Sequence, residues 1–593
     1  MLPAVMLRAS THNRAVVPGW WPALDADTEQ WRAWLAQVAA QREAMEAIAH
    51  ASPALAASVT RICRGETASP QRARRAAEAV ARYLLRLGGR ATPCGLFAGV
   101  TPVQVGSGTT VSWGVDHQRR STPTAADMAA AVTAAENDPE LLRELRVQAN
   151  DLAIWRGGRL VVDCMPHLHQ DRPAEASVRT GTVLGAVLAE TARPVPVANL
   201  VQVIADRFPR ATRDGIEAMV QSLVRLGVLI SELRAPGTCT APGTYLYHRL
   251  GAAQGTAERP PSIDLRIDAT VRVPGQVTEV AEAGRLLALT AGATPGRRSW
   301  RDWHTRFVER FGVGAAVPVS AAVDPVDGVG WPEHLLPDHT PDSQPWQRRD
   351  RRRAALAQRA ARHGAAEVHL TAADLSVLGA ETGWAGWAPH LSVGAQIHAT
   401  SRAELDAGRF DVVVGAVGRT GAALGGRLLD RLPLPQASAA IEALSTLPPT
   451  IHGAVVAQVS APARELDCDP LGRAPRITRE LLRVGEFGDG GPRVADLFVV
   501  ADSRRLYLVD RDERVVEPMV AHTLAGHTLA PLVRFLGEVT TSALGPVRGF
   551  DWGPLVGLPW RPRLRVGRST DTNDGPAPSG MNSYHRHSEG EPS

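Results

Sequence analysis

The residues best placed for chemistry lie in one short stretch near the N-terminus. It reads Arg86-Leu-Gly-Gly-Arg90-Ala-Thr92-Pro-Cys-Gly-Leu-Phe-Ala-Gly-Val100. An arginine side chain stays protonated at neutral pH, so its chemistry is the recognition of carboxylates or phosphates and not proton abstraction. The stretch therefore predicts an anion-binding turn. The alternative is a surface helix followed by a structural turn, and spacing alone leaves both open.

The charge and composition of the chain exclude several classes of protein. Its 593 residues include 65 basic and 61 acidic side chains, a net charge of only +4, and 44% of them are hydrophobic. This balance does not fit a DNA-coating protein, and it leaves ample material for a folded core. No lysine occurs, so all basic residues are arginine. The absence of lysine excludes Schiff-base catalysis and a phosphate-binding P-loop.

Metal and nucleotide sites are not indicated. His167 and His169 alternate without a third ligand nearby, and the run from Gly415 to Gly421 has the wrong spacing for a dinucleotide fingerprint. That run is interpreted as a turn at the end of a strand. The cysteines have neither the paired spacing of a zinc site nor the density of a disulfide scaffold; they are Cys63, Cys94, Cys164, Cys239 and Cys468.

The elements that must position the arginines begin with helices. Apolar residues recur at helical spacing from Thr28 to His50, which predicts one helix there. A second helix is predicted over residues 71–87, because Ser69 can cap it, Pro70 suits its first position and Gly88-Gly89 can end it. An apolar strand should follow within residues 95–105, directly after the arginines.

Residues 177–234 have the element order of a winged helix-turn-helix. Helices are predicted over 178–191 and 197–208, and a third should start after Thr212 and end at Gly227, before a strand at 228–230. Such modules most often bind DNA, but the third helix is close to neutral. DNA is therefore not the expected ligand.

The remaining chain alternates short strands and helices, so the expected class is α+β, a large composite mixed fold with an embedded winged-helix element. Strands are predicted at 263–268, 367–370, 410–417, 452–459, 497–501 and 506–509, and helices at 347–361 and 523–536. The arginine-rich run at 348–353 is interpreted as a solvated helix face, with phosphate contact as the alternative. The polar tail, 569–593, should be disordered. No stretch reaches the ~20 apolar residues of a membrane span, which favours a cytoplasmic protein.

The stretch from Arg86 to Val100 closely resembles the signature of the lantibiotic dehydratase N-terminal, or glutamylation, family. Further segments resemble that family in order and approximate spacing up to about Arg568: Asp127-Met128, Ile263-Asp264-Leu265, Phe311-Gly312 with Val317-Pro318-Val319 and Asp324-Pro325, Leu532 to Leu536, and Leu558 to Arg563.

The resemblance implies an enzyme that takes glutamate from glutamyl-tRNA and esterifies serine or threonine side chains of a ribosomally made precursor peptide. It implies that Arg86, Arg90 and Thr92 engage the glutamyl-adenylate end of the tRNA. Asp127 and Asp264 would pair with the donor's amino group or orient the attacking hydroxyl. Arg464 is the candidate for a later functional arginine, with Arg473 as its rival.

The same resemblance predicts the division of the chain and its partners. The expected parts are an α+β part at 1–170, a winged-helix leader-recognition element at 171–236, the remaining glutamylation part at 237–568 and the tail. The predicted partners are glutamyl-tRNA as co-substrate, the leader of the precursor peptide and a separate elimination-domain protein, with a homodimer left open. No bound cofactor or metal is expected. Two alternatives remain: a non-catalytic peptide-binding relative, and an aminoacyl-tRNA-dependent peptide ligase.

Overall fold

The protein is described by a computed structural model that covers most of the chain. The described residues are 5–66, 69–162, 175–251, 261–290, 297–336, 348–380, 388–524, 526–544, 550, 552, 562–566 and 569–571. His167 and His169, for which no metal site is predicted, lie outside these residues, as do Cys164 and residues 572–593 of the predicted tail.

Helices and strands are mixed along the whole chain. The helices are α1 Thr28–Ala39, α2 Arg42–Ala51, α3 Pro53–Cys63, α4 Pro70–Gly89, α5 Ala125–Asn137, α6 Pro139–Glu144, α7 Thr182–Glu190, α8 Val197–Arg207, α9 Arg213–Arg225, α10 Pro242–Leu250, α11 Glu279–Thr290, α12 Arg298–Phe311, α13 Val319–Ala322, α14 Arg348–His363, α15 Ala372–Leu375, α16 Arg402–Asp406, α17 Leu434–Ser445, α18 Asp469–Gly472 and α19 Pro531–Val539.

The strands are β1 Met6–Ser10, β2 Ala98–Gly106, β3 Thr110–Trp113, β4 Gln118–Thr122, β5 Arg146–Ala149, β6 Ala153–Arg156, β7 Arg159–Val162, β8 Ala176–Arg179, β9 Val195–Pro196, β10 Leu229–Ser231, β11 Ser262–Arg266, β12 Ala269–Pro274, β13 Val317–Pro318, β14 Glu367–His369, β15 Ser392–His398, β16 Asp411–Gly418, β17 Val455–Ser460, β18 Glu480–Arg483, β19 Phe498–Ala501, β20 Leu506–Val509, β21 Val515–Met519, β22 Arg563–Val566 and β23 Ser569–Asp571. The α+β class predicted from the sequence is confirmed.

The N-terminal sheet brings distant parts of the chain together. Its order is β3-β12-β2-β11-β4, and β1 also pairs with β2. β11 runs parallel to β2, with Leu265 opposite Gly99, and β1 runs antiparallel, with Ala9 opposite Gly99. Only glycine fits at that position, because an added Cβ would lie 2.5 Å from the carbonyl oxygen of Leu265. The strand after the arginine stretch is thereby fixed against a strand 160 residues later.

Helices α1–α4 cover one face of this sheet. Their buried residues, among them Trp31, Trp34 and Leu84, form one core with Phe97 and Leu265. The largest core lies elsewhere, between the sheet β13-β19-β20-β21-β17-β18 and helices α12 and α19. Helices α11 and α14 pack on the sheet β14-β22-β23-β16-β15 and form a third core with it.

Helices α7, α8 and α9 share a core with β5, β7 and β10. Thr212 caps α9 as predicted, since its side chain accepts a hydrogen bond from the N–H of Gly215. The first helix begins at Thr182 and not at 178, because Ala176–Arg179 pair with β7 as a strand. β5 likewise pairs with β10. Strands before residue 171 therefore pack with this unit. The predicted division at residue 171 and the unit's identity as a winged helix-turn-helix stay predictions.

Other predicted elements differ from the structure at their ends. The helix expected over 28–50 is two helices, α1 and α2, because Gln41 between them is extended. The helix expected over 523–536 begins at Pro531, which cannot continue a helix from the preceding turn. The predicted tail does not begin at 569, since Ser569–Asp571 pair with β16 and β22 through main-chain hydrogen bonds that need no apolar side chains.

The run at Arg348–Arg353 is not simply a solvated face. It lies in α14, where Arg353 is buried against the ring of Phe550 and Arg352 pairs with Asp374. Among the described helices, none is both long and apolar enough to cross a membrane.

The contact at Gly99 gives a first testable prediction. Gly99→Ala should lower the free energy of unfolding by about 1–3 kcal/mol, because the new methyl group would overlap Leu265. Gly89→Ala is the matched control, since nothing lies within 4 Å of its added Cβ. Thermal or urea unfolding of the two variants compares them directly, and equal midpoints would contradict the close packing of β2 on β11.

Candidate functional site

The arginine stretch occupies the junction between α4 and β2. α4 ends there because Arg90 is extended, and its N–H donates to the carbonyl of Arg86. The guanidinium of Arg86 lies over the ring of Phe97, 5.4 Å from its centroid, and its buried Nε has no partner among the described residues. Arg90 is half-buried and Thr92 exposed. The three predicted residues thus share one turn, with donors available to a ligand.

Asp264 lies on β11 with its side chain directed away from the core that holds Leu265, because successive side chains of a strand alternate between faces. It faces a 3-10 helix, Gly426–Arg431. Arg431 Nη2 is 3.0 Å from Asp264 Oδ2, and Arg427 Nη2 is 3.7 Å from Oδ1. These ion pairs fasten the N-terminal sheet to a segment more than 160 residues later in the chain.

The pair belongs to a larger charged cluster, defined here as Arg8, Arg120, Asp264, Arg427, Asp430 and Arg431. Arg120 is opposite Asp264 on the neighbouring strand and binds Asp430 at 2.7 Å, and Asp430 is 3.1 Å from Arg431. Burial and the nearby charge of Arg427 lower the pKa of Arg8, whose Nη2 donates to the carbonyl of Leu424.

Four guanidinium groups and two carboxylates leave the charged cluster with an excess of positive charge. The side chains of Asp264, Arg427 and Arg431 are only 16%, 12% and 10% exposed, so water screens them poorly. Such an excess of charge in a poorly hydrated place suits an anionic ligand. Arg8, Arg427 and Arg431 were not among the site residues predicted from the sequence. The four-residue spacing of Arg427 and Arg431 is the feature of the sequence that could have indicated them.

Asp127 has a local role that the structure displays directly. Asp127 Oδ2 accepts a hydrogen bond from Thr124 Oγ1 at 2.7 Å, and the N–H of Asp127 donates to Thr124 Oγ1 at 3.1 Å. This reciprocal pair caps α5. Its neighbour Met128 lines a largely apolar cavity of about 140 Å³ between α5, β10 and α10.

Arg464 and Arg473 contact other parts of the chain. The N–H of Arg464 donates to the carbonyl of Thr528, and its charge is felt by Arg534, whose pKa is lowered first by burial. Arg473 binds Asp469 at 2.7 Å and donates to carbonyls of the segment after β10, including Pro236 at 2.8 Å. Two later arginines that contact Asp264 are Arg427 and Arg431.

A second group of charges surrounds Glu538 on α19. Burial raises the pKa of Glu538, but hydrogen bonds from His334 at 2.8 Å and Trp300 at 3.0 Å, with the charges of His334 and Arg297, outweigh it and lower the pKa to about 2. The Glu538 carboxylate therefore has its hydrogen-bond partners within the protein. Within the described residues, no group of three or more histidine, cysteine, aspartate or glutamate side chains is placed to hold a metal ion.

Comparison with known proteins identifies the family of this chain. The family model described as "Lantibiotic dehydratase, N terminus" matches residues 40–259 and 251–570. The crystal structure of the tRNA-dependent lantibiotic dehydratase MibB from Microbispora sp. 107891 is similar, with 28% identity and a TM-score of 0.82 over 90% of this chain. This chain spans 58% of the length of that MibB chain.

Two structures of the TbtB glutamylation domain from thiomuracin biosynthesis share the fold. One has 19% identity and a TM-score of 0.60, and the other, bound to 5′-phosphodesmethylglutamycin, has 20% identity and a TM-score of 0.57. Each match covers 91% of this chain and 72% of the TbtB chain. No curated protein sequence matches.

The ion pairs of Asp264 give a second prediction. Asp264→Asn should lower the melting temperature, because Arg427 and Arg431 would lose their carboxylate in a poorly hydrated place, at about 1.5–3 kcal/mol for each charged hydrogen bond lost. Glu404→Gln is the control: it removes the carboxylate of a pair in which Arg409 is largely exposed and should change stability little. An equal effect of the two changes would show that the charged cluster does not hold the segments together.

Proposed function

The chain belongs to the lantibiotic dehydratase N-terminal family, and on that premise we propose that it transfers glutamate from glutamyl-tRNA to serine or threonine side chains of a ribosomally made precursor peptide. The similarity to MibB, which is described as tRNA-dependent, supports this proposal. The glutamyl ester would be the first half-reaction of dehydration in lanthipeptide or thiopeptide-type biosynthesis, in the cytoplasm.

The charged cluster and the neighbouring arginine turn are the observation on which the proposal rests. An aminoacylated tRNA brings phosphates, and its glutamyl group brings a carboxylate, so both are partners for guanidinium groups. The turn with Arg86 and Arg90 lies where α4 meets β2, and Asp264 lies on β11 of the same sheet. A ligand that reaches both places would pass the start of β2, because Asp264 is level with Ala98 there.

The reaction needs no nucleoside triphosphate, because one ester is exchanged for another. The peptide hydroxyl oxygen forms a bond to the glutamyl carbonyl carbon, and the bond from that carbon to the tRNA ribose oxygen breaks. The hydroxyl proton ends on the ribose oxygen. In this proposal the arginines hold the donor, and fixed positive charge near the carbonyl oxygen stabilises the negative charge that develops there.

Peptide binding is assigned to the unit formed by α7, α8, α9 and their sheets. Strands β6 and β8 are the two edges of the sheet β6-β7-β8, and an extended leader could add to such an edge through main-chain hydrogen bonds. On α9, Arg213 is paired with Glu217, which also contacts Arg143 of α6. That pairing favours a peptide over DNA. Removal of glutamate is assigned to a separate elimination-domain protein.

The role of the arginine turn gives the third prediction. Arg90→Ala should reduce peptide glutamylation roughly ten- to hundred-fold, as expected when one charge-assisted contact of about 1.5–3 kcal/mol is lost. Arg82→Ala is the matched control, because Arg82 is exposed on the same helix. The measurement is mass spectrometry of the precursor after incubation with glutamyl-tRNA, which should show masses increased by glutamyl units.

The same assay separates the alternatives. A precursor of unchanged mass with the unaltered protein would favour a peptide-binding relative without activity. Addition of an amino acid at the peptide's C-terminus would identify a peptide ligase. Equal turnover of the Arg90 and Arg82 variants would contradict the assignment of the turn.

A fourth prediction concerns the leader. The full chain should bind a cognate leader peptide with little dependence on salt, because main-chain hydrogen bonds dominate. Duplex DNA bound through six to ten phosphates would instead lose roughly 10³- to 10⁵-fold in affinity between 50 and 200 mM salt. Titration of both ligands at the two salt concentrations distinguishes the interactions, and DNA binding with that steep slope and no peptide binding would overturn the assignment.

A further inference from the structure

A second cavity lies at the end of β16, and no residue of the charged cluster lines it. It measures about 190 Å³ and is enclosed by α17, β17, β21 and α19 as well as by the chain that leaves β16. For comparison, an engineered cavity of about 150 Å³ holds a benzene molecule. The space therefore suits a ligand with about the size of an amino acid.

Arg419 places a positive charge at the wall of this cavity. Its Nη1 donates to the carbonyl and to Oγ1 of Thr541, each at 3.0 Å, which fixes the side chain. Nε and Nη2 have no partner among the described residues. Burial lowers the pKa of Arg419, the charge of Glu538 opposes this effect and that of Arg297 adds to it. The Glu538 carboxylate is shared, because it also accepts hydrogen bonds from His334 and Trp300. It therefore does not serve as a partner for Arg419 only.

Two histidines line the cavity, and one of them has a ring hydrogen that a ligand can accept. Burial lowers the pKa of His522 to about 4. Its Nδ1 accepts from the N–H of Leu524 at 3.3 Å, so the ring hydrogen is on Nε2. His390 is fully used, since Nδ1 accepts from the N–H of Gly421 and the ring also bonds to Pro448. Arg419 and His522 are thus the donors that the described wall can present to an anion.

The rest of the wall offers oxygen atoms. Thr478 Oγ1 donates to the main-chain carbonyl of Glu480, and Ser445 Oγ donates to the main-chain carbonyl of Glu442. The hydrogens of both hydroxyl groups are therefore used, and their oxygen lone pairs remain available as acceptors. The Glu517 carboxylate accepts from the N–H groups of Thr450 and Ile451 and keeps further lone pairs. A ligand that matches this wall combines an anionic group with a hydrogen-bond donor.

We propose that this cavity binds a small carboxylate that also carries a donor group, as a free amino acid does, with the carboxylate on Arg419 and His522 and the donor towards the threonine, serine and Glu517 oxygens. The site is separate from the charged cluster and does not depend on the proposed transferase activity.

The test is calorimetric titration of the full chain with L-glutamate, glutarate and inorganic phosphate. L-Glutamate should bind more tightly than glutarate, which lacks the ammonium group. Arg419→Gln should weaken glutamate binding roughly ten- to hundred-fold. Ser445→Trp, at an exposed position on the cavity rim, should block binding while leaving Arg419 and its contacts unchanged.

Arg409→Gln is the matched control, because it removes the same charge from an exposed ion pair with Glu404, outside both sites. It should leave glutamate binding unchanged. Loss of binding in Arg427→Gln but not in Arg419→Gln would place the ligand in the charged cluster and overturn the proposal. The absence of glutamate binding by the unaltered protein, binding of phosphate alone, or equal binding of glutarate and glutamate would also overturn it.

Discussion

The parallel pairing of β11 with β2 is the contact on which the arrangement of the candidate site depends. It requires a residue without a side chain at position 99, because the backbone of Leu265 occupies the place of a Cβ. Once the strands are joined, Leu265 enters the core beneath α1–α4, and the alternation of the strand turns Asp264 to the other face. There it meets Arg431 and Arg427 of a third segment. One steric requirement thus brings together three distant stretches of chain.

Arginine, in a chain without lysine, supplies both structure and potential ligand contacts. Arg473 and Arg353 act structurally, the first by binding Asp469 and backbone carbonyls and the second by packing on an aromatic ring. In the charged cluster and at Arg419, guanidinium groups exceed the carboxylates that contact them. A buried positive charge is costly unless it is paired, so these places are where anionic ligands would be stabilised most. The two sites differ because one lies between a sheet and a 3-10 helix and the other within a cavity that opens to solvent near Ser445.

The proposed division of labour follows from these positions. The N-terminal sheet carries the arginine turn and Asp264, whereas α7, α8 and α9 form a separate core with its own small sheets. A peptide held at an edge of β6-β7-β8 would be bound by its backbone, so many sequences could be accepted there. The site of ester exchange would then need to recognise only a hydroxyl group and the donor. Such an arrangement separates binding of the leader from chemistry on the rest of the peptide.

Local patterns in the sequence were enough to predict helix α4, strand β2, the strand with Asp264 and the mixed class of the fold, because caps, glycines and hydrophobic periodicity act over a few residues. It also contained the family signature at Arg86–Val100. It did not reveal the break between α1 and α2, the pairing of β7 with β8, or the strand at Ser569–Asp571. The packing of distant segments brought Arg427 and Arg431 to Asp264, placed Arg8 near Arg427, and left Arg464 near Arg534. Contacts between residues more than 150 positions apart depend on how layers pack, and no local pattern encodes that packing.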